Sequence, residues 1–128
     1  MKNILSNSSY QTSKDLFNSL SELYPYTIME NNIMQFSNKL KDDGMPNVWG
    51  IEDHICALKL KIEDKNIYII AIANQGGPLG FATKVVDIIH TFAIKNNYKI
   101  IISNDESGGY WEKIIAKYND SIISINSY

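Results

Sequence analysis

The stretch Asn74-Gln75-Gly76-Gly77-Pro78-Leu79-Gly80 divides an apolar run from a long amphipathic segment, and its reading decides the fold. Upstream, Ile67-Tyr68-Ile69-Ile70-Ala71-Ile72-Ala73 reads as a buried strand. Downstream, Ala82, Val85, Val86, Ile89, Phe92 and Ala93 follow the three-and-four spacing of one helix face. A glycine-rich turn that leaves a strand and opens a helix is a natural anion site. Free backbone N–H groups project from the first helical turn, and the helix dipole favours negative charge there. Glycine lets a phosphate come close to the backbone. The first expectation is therefore a phosphate-bearing ligand held at residues 75–82.

Working outward, Lys99-Ile100-Ile101-Ile102-Ser103-Asn104 is a second buried strand. It lies at the distance of a strand–helix–strand crossover, so it should run parallel to strand 67–73. Asn96-Asn97 supply a left-handed cap to the helix between them. Glu63-Asp64-Lys65-Asn66 is a tight turn that pairs strand 67–73 with an antiparallel strand over 54–62. In that strand Ile55, Ala57 and Lys59 alternate with Cys56, Leu58 and Leu60. Gly108-Gly109 precede a short helix over 110–117, and residues 121–125 form a last strand.

Toward the amino terminus, Ser13 is expected to cap a helix through Leu16, Phe17, Leu20 and Leu23 that Pro25 closes. A second helical pattern near Glu30 contains Ile33, Met34, Phe36, Ser37 and Leu40, ahead of Gly44 and Pro46. Val48-Trp49-Gly50-Ile51 reads as a short strand. The expected class is α/β with a mixed sheet, built from amino-terminal helices, an antiparallel hairpin, the crossover, and a carboxy-terminal helix and strand. It is neither a Rossmann fold nor a helix bundle.

The 128 residues, 45% of them apolar, suit one domain with an ordinary core and show no linker, repeat or low-complexity tract. A net charge of −2 argues against DNA binding, whose footprint would be a basic face. Lys59, Lys61 and Lys65 cluster, but Glu63 and Asp64 sit among them, as in a solvated hairpin. Residues 1–7 lack the apolar core of a signal peptide, and no apolar run approaches the roughly 20 residues of a spanning helix. Cys56 is the single cysteine, which leaves neither an intrachain disulfide nor a cysteine pair for zinc. A cytosolic protein without a metal site or a membrane partner is expected.

Two motifs in order give the chain a resemblance to the GNAT N-acetyltransferase superfamily over residues 55–118. That family carries Gln/Arg-x-x-Gly-x-Gly/Ala between its fourth strand and third helix, where backbone amides grip the pyrophosphate of acetyl-CoA. This chain has Gln75-x-x-Pro78-x-Gly80 in the same place, with Pro78 at the motif's first glycine. The family follows its fifth strand with Asn-x-x-Ala-x-x-aromatic-Tyr-x-Lys-Leu-Gly-Phe. Here the run is Asn104-x-x-Ser107-x-x-Tyr110-Trp111-x-Lys113-Ile114, and Ile115-Ala116 replace the closing Gly-Phe.

The resemblance implies a GNAT-like fold and transfer of an acetyl group, or another acyl group, from acyl-CoA to an amine. It implies cofactor contacts from Ile72, Ala73, Gln75, Gly76, Gly77, Leu79, Gly80, Asn104 and Trp111. The family's thiolate-protonating tyrosine falls at Trp111, whose indole is a very poor acid and can only hydrogen-bond or pack. Tyr110 is adjacent but points about 100° away on a helix. The family's strand glutamate has no counterpart in 67–73. Glu52, Asp53 and His54 beside Trp49 are the remaining concentrated titratable set, though the plainer reading of the three is a polar turn entering a strand. The catalytic candidates are thus Glu52, His54 and Tyr110. His90 reads as a structural histidine and Cys56 as a small core residue. The short amino-terminal half leaves room for a protein partner or a second subunit to complete an acceptor pocket. The alternative is a non-catalytic interaction protein on a worn scaffold of this type, such as an immunity protein or a phage-type inhibitor.

Overall fold

A computed structural model of the chain describes residues 4–49, 53–75, 78–103 and 109–126. It is an α/β protein in the order α1 (Ile4–Ser21), β1 (Tyr26–Glu30), β2 (Ile33–Ser37), β3 (Cys56–Glu63), β4 (Asn66–Asn74), α2 (Phe81–Asn96), β5 (Lys99–Ser103), α3 (Tyr110–Tyr118) and β6 (Ile123–Asn126). The six strands form one open sheet in sequence order. β1 to β4 are antiparallel neighbours, whereas β4–β5 and β5–β6 are parallel. Each parallel step is made by one crossover helix, as a parallel pair requires.

Side chains at alternate strand positions sort onto the two sheet faces. Met34, Phe36, Leu58, Leu60, Ile67, Ile69, Ile100 and Ile102 turn to one face, where Leu16 and Leu20 of α1, Val85, Val86 and Ile89 of α2, and Trp111 of α3 complete the core. Each fully buried side chain of this size is worth roughly 1.5–3 kcal/mol of transfer free energy. The opposite face is covered at one end, where Val48, Ile55 and Ala57 gather with Ala73 in a smaller cluster. The segment that carries Val48 is clamped there: Ser37 Oγ donates to the Asn47 carbonyl at 2.7 Å, and Asn38 Nδ2 donates to the His54 carbonyl at 2.6 Å.

The turns follow residue chemistry. Asp64 and Lys65 both take left-handed φ values of 53° and 64°, the geometry of a type I′ hairpin turn. Asn97 and Asn119, at φ 61° and 49°, close α2 and α3 by returning their N–H groups to Ala93 and Ile115.

Three expectations are corrected. The pattern from Glu30 to Leu40 is not helical; it is the β1–β2 hairpin, with Glu30 opposite Ile33 across Asn31-Asn32. Asn31 adopts φ 58°, which this short side chain tolerates, and Met34 and Phe36 alternate inward with period two. Ser13 does not cap α1; the helix already starts at Ile4, and Ser13 lies within it. Val48 and Trp49 are not in a strand; they belong to the clamped segment, while Gly50 and Ile51 lie outside the described residues. The hairpin, the crossover, the α2 cap and the burial of Cys56 match the sequence reading, although β3 begins at Cys56 because His54 occupies a turn at φ 62°.

Candidate functional site

β4 is uniform in sequence but not in its neighbours. Along its first half, Asn66–Ile69, it pairs with β3 on one side and with β5 on the other. At Ile69 opposite Ile102 the pairing with β5 ends, although β5 continues to pair with β6 as far as Ser103 opposite Asn126. At the same point the register with β3 shifts: Leu60 faces Ile69 and Lys59 faces Ala71, leaving Ile70 as the extra residue of a bulge. Ala71 to Asn74 thus keep β3 on one side and have no strand partner among the described residues on the other.

This edge leads directly into the start of α2. Pro78 O accepts from Phe81 N at 3.2 Å, and Gly80 sits at φ 80°, ψ 0°, the third-residue geometry of a type II turn that requires glycine. Gly80 is also the N-cap, its carbonyl accepting from Lys84 N at 2.9 Å, and no side chain caps the turn. Phe81 N is taken up by this turn, and the other amides at the start of α2 lack an intrahelical acceptor beside the end of β4.

Of the sequence-predicted cofactor contacts, Gln75 and Gly80 are exposed on this rim, and Leu79 is wholly exposed at 104%. Ile72 packs against the main core and Ala73 against the smaller cluster, each partly exposed. Trp111 is a core residue, 3% exposed. Gly76, Gly77, Asn104 and Glu52 lie outside the described residues. His54 is exposed and close to the rim, since Gln75 N donates to the carbonyl of its neighbour Ile55 at 2.9 Å. Its left-handed backbone is held by Asn38, which grips the His54 carbonyl with Nδ2 and receives Cys56 N on Oδ1 at 2.9 Å. Tyr110 opens α3 after Gly109 at φ 112°, and its hydroxyl is buried with no hydrogen-bond partner among the described residues.

Two polar groupings were missed in the sequence. Asn74, read there only as the start of the loop, stands opposite Cys56 in the ladder, receives its Sγ–H on Oδ1 at 3.2 Å and donates Nδ2 to Pro78 O at 3.2 Å. Burial pushes the Cys56 thiol up from its ordinary range. Away from the rim, His90 on α2 bonds Asp120 at 2.9 Å and stacks on Tyr118 with ring centroids 3.7 Å apart. Tyr118 donates to Asp87, and Lys117 reaches the same carboxylate at 3.3 Å. The Tyr118 hydroxyl, then Lys117, hold Asp87 below the usual carboxylate range. For Asp120 burial pushes upward, but the Ile122 amide and His90 outweigh it and lower the group. This clasp fixes α3 to α2, consistent with the reading of His90 as structural. Among the described residues no cluster of metal-ligating side chains occurs, and no helix is long and apolar enough to cross a membrane.

Grooves also lie away from the rim, the wider one, about 650 Å³, between α1 and α2 and lined by Leu16, Ile88 and Phe92 with Asp15, Lys84 and Lys95 among the charged residues. What marks the rim is the stretch of β4 with no second strand partner among the described residues. Comparison of the chain with protein-family models, with characterised proteins and with solved structures finds no match.

Proposed function

We propose that the protein is a small acyl-CoA-dependent N-acyltransferase of the GNAT type, moving an acetyl or related acyl group to an amine by direct attack. The observation that carries the reading is the end of β4–β5 pairing at Ile69 and Ile102, on the edge where the glycine-capped α2 begins. Coenzyme A needs two kinds of contact, and this edge offers both. Its pyrophosphate suits the uncapped first turn of α2, where backbone amides and the helix dipole favour an anion. Its amide-bearing arm suits the unpaired edge of Ala71 to Asn74, to which an extended chain adds as a strand would. An amide on the same edge would stabilise the oxyanion that forms as the amine attacks the thioester.

Positioning of the amine supplies much of the rate in this scheme. His54, with Glu52 before it in sequence, would take the proton from the attacking amine, directly or through water. The Tyr110 hydroxyl, which has no hydrogen-bond partner among the described residues, would give a hydrogen bond to the departing thiolate. Pro78 costs the site one N–H, yet its carbonyl anchors the turn through Phe81 and Asn74. The test is calorimetric titration with acetyl-CoA and free CoA. The reading expects saturable binding with a Kd on the order of ~1–100 μM, about −5 to −8 kcal/mol; no heat at millimolar cofactor contradicts it.

A second reading, a non-catalytic interaction protein such as an immunity protein or phage-type inhibitor, is favoured by Leu79. A fully exposed leucine at the tip of the loop, with Trp49 61% exposed elsewhere on the surface, suits a protein contact. This reading expects no acyl-CoA binding, and loss of partner binding in Leu79→Ala.

A further inference from the structure

We infer that Asn74 is a positioning residue for the site, tying the end of β4 to the turn that opens α2 and taking its own orientation from Cys56. This inference rests on the acyl-CoA reading for its functional meaning, while the tether itself rests on the hydrogen bonds. Pro78 O can only accept, so the Asn74 group facing it must be the Nδ2 amide, 3.2 Å away. That leaves Oδ1 for the Cys56 Sγ–H, also at 3.2 Å. Because burial raises the thiol's pKa, Cys56 keeps its proton and remains a donor. Pro78 O thus receives both Asn74 Nδ2 and Phe81 N, which fixes the carbonyl that starts the type II turn.

The register explains why this pair meets. Counted without interruption from Glu63 opposite Asn66, Cys56 would face Ala73. The extra residue Ile70 moves Asn74 into that place. One bulge therefore coincides with the release of β4 from β5 and brings the polar side chain that organises the loop into register.

The experiment measures amide hydrogen exchange at Phe81 in the ligand-free protein, alongside acetyl-CoA affinity, in Asn74→Ala, Cys56→Ala, Cys56→Ser and the double alanine variant. Asn74→Ala should speed Phe81 exchange and weaken acetyl-CoA binding, each by roughly three- to ten-fold, with exchange at Ile69 and Ile102 unchanged. Cys56→Ala should act in the same direction but less, Cys56→Ser should restore the native rate, and the double variant should be no worse than Asn74→Ala alone. Unchanged Phe81 exchange in both alanine variants overturns the tether even if acetyl-CoA binds. Faster exchange in a protein that never binds acetyl-CoA supports the tether and overturns the acyl-CoA reading instead. Additive effects in the double variant overturn the claim that Cys56 works through Asn74.

Discussion

The two halves of β4 are both mainly apolar and differ in what they do. Asn66–Ile69 is flanked by β3 and β5 and sends Ile67 and Ile69 into the core, both at most 2% exposed. Ala71 to Asn74 is paired on one side, its side chains are partly exposed, and it ends in the turn at Pro78. In one strand the first half is bound for stability and the second is left with backbone to spare. The bulge at Ile70 is the boundary between them. Bulges commonly re-aim a strand beside a functional site, and here the change of register coincides with the loss of the parallel partner.

The contrast can be broken at either half. The largest effect is expected in the first: Ile69→Ala should cost roughly 2–5 kcal/mol of stability, read from the urea midpoint. A loss below about 1 kcal/mol would mean that this half is not the packed one. In the second half, Gly80→Trp should weaken acetyl-CoA binding at least roughly 100-fold, which is about 2.7 kcal/mol, in a protein that still melts cooperatively. The site is open to a side chain, and only the left-handed φ opposes it, at about 1–2 kcal/mol. Retained affinity in the folded variant would remove the turn from the binding site.

The α2–α3 clasp sharpens the same contrast, because it should act on stability alone. His90→Ala removes a buried ring from Asp120 and Tyr118 and should cost about 1–3 kcal/mol, without altering acetyl-CoA affinity at 25 °C; a matching loss of affinity would join the clasp to the site. Its carboxylates also predict an acid limit. Asp87 and Asp120 are both lowered in the folded protein. Their stabilisation is therefore fully present above the unfolded carboxylate value of about 3.9, and is lost as pH falls through their folded values. The melting temperature should drop between about pH 4 and pH 2, and drop less in Asp87→Asn. The smallest effect is reserved for Pro78→Gly, which restores one N–H while keeping the carbonyl that Asn74 holds. It should tighten acetyl-CoA binding by roughly two- to five-fold, and no change would mean that the missing amide was never directed at the ligand.

Much of the fold was legible because its signals are local. The period-two and three-and-four patterns of residues 55–62, 67–73 and 81–96 each match the element that forms, and Asn97 closes α2 as its side chain allows. The β1–β2 hairpin was misread because Ile33, Met34, Phe36, Ser37 and Leu40 also fit helical spacing. Asn31-Asn32 between two short β-prone runs was the available signal for the turn. The helix start at Ile4 was obscured by Ser13, a good cap residue that in the fold is interior.

The site was half legible. Glycines between strand and helix identified the turn, and His54 was singled out only as one of a concentrated titratable set, its nearness to the turn emerging from the Gln75 bond to Ile55. The parting of β4 from β5 could not be read, since it depends on where a neighbouring strand stops pairing. The Cys56–Asn74 contact could not be read either, because it depends on a one-residue bulge inside an unbroken apolar run.

The most direct test of the account is an amide chemical-shift map recorded while acetyl-CoA is titrated into the protein. The account predicts saturable shifts concentrated at residues 71–75 and 78–83, with residues 66–69 and the groove between α1 and α2 unmoved. Shifts confined to that groove, or none at millimolar acetyl-CoA, would contradict it.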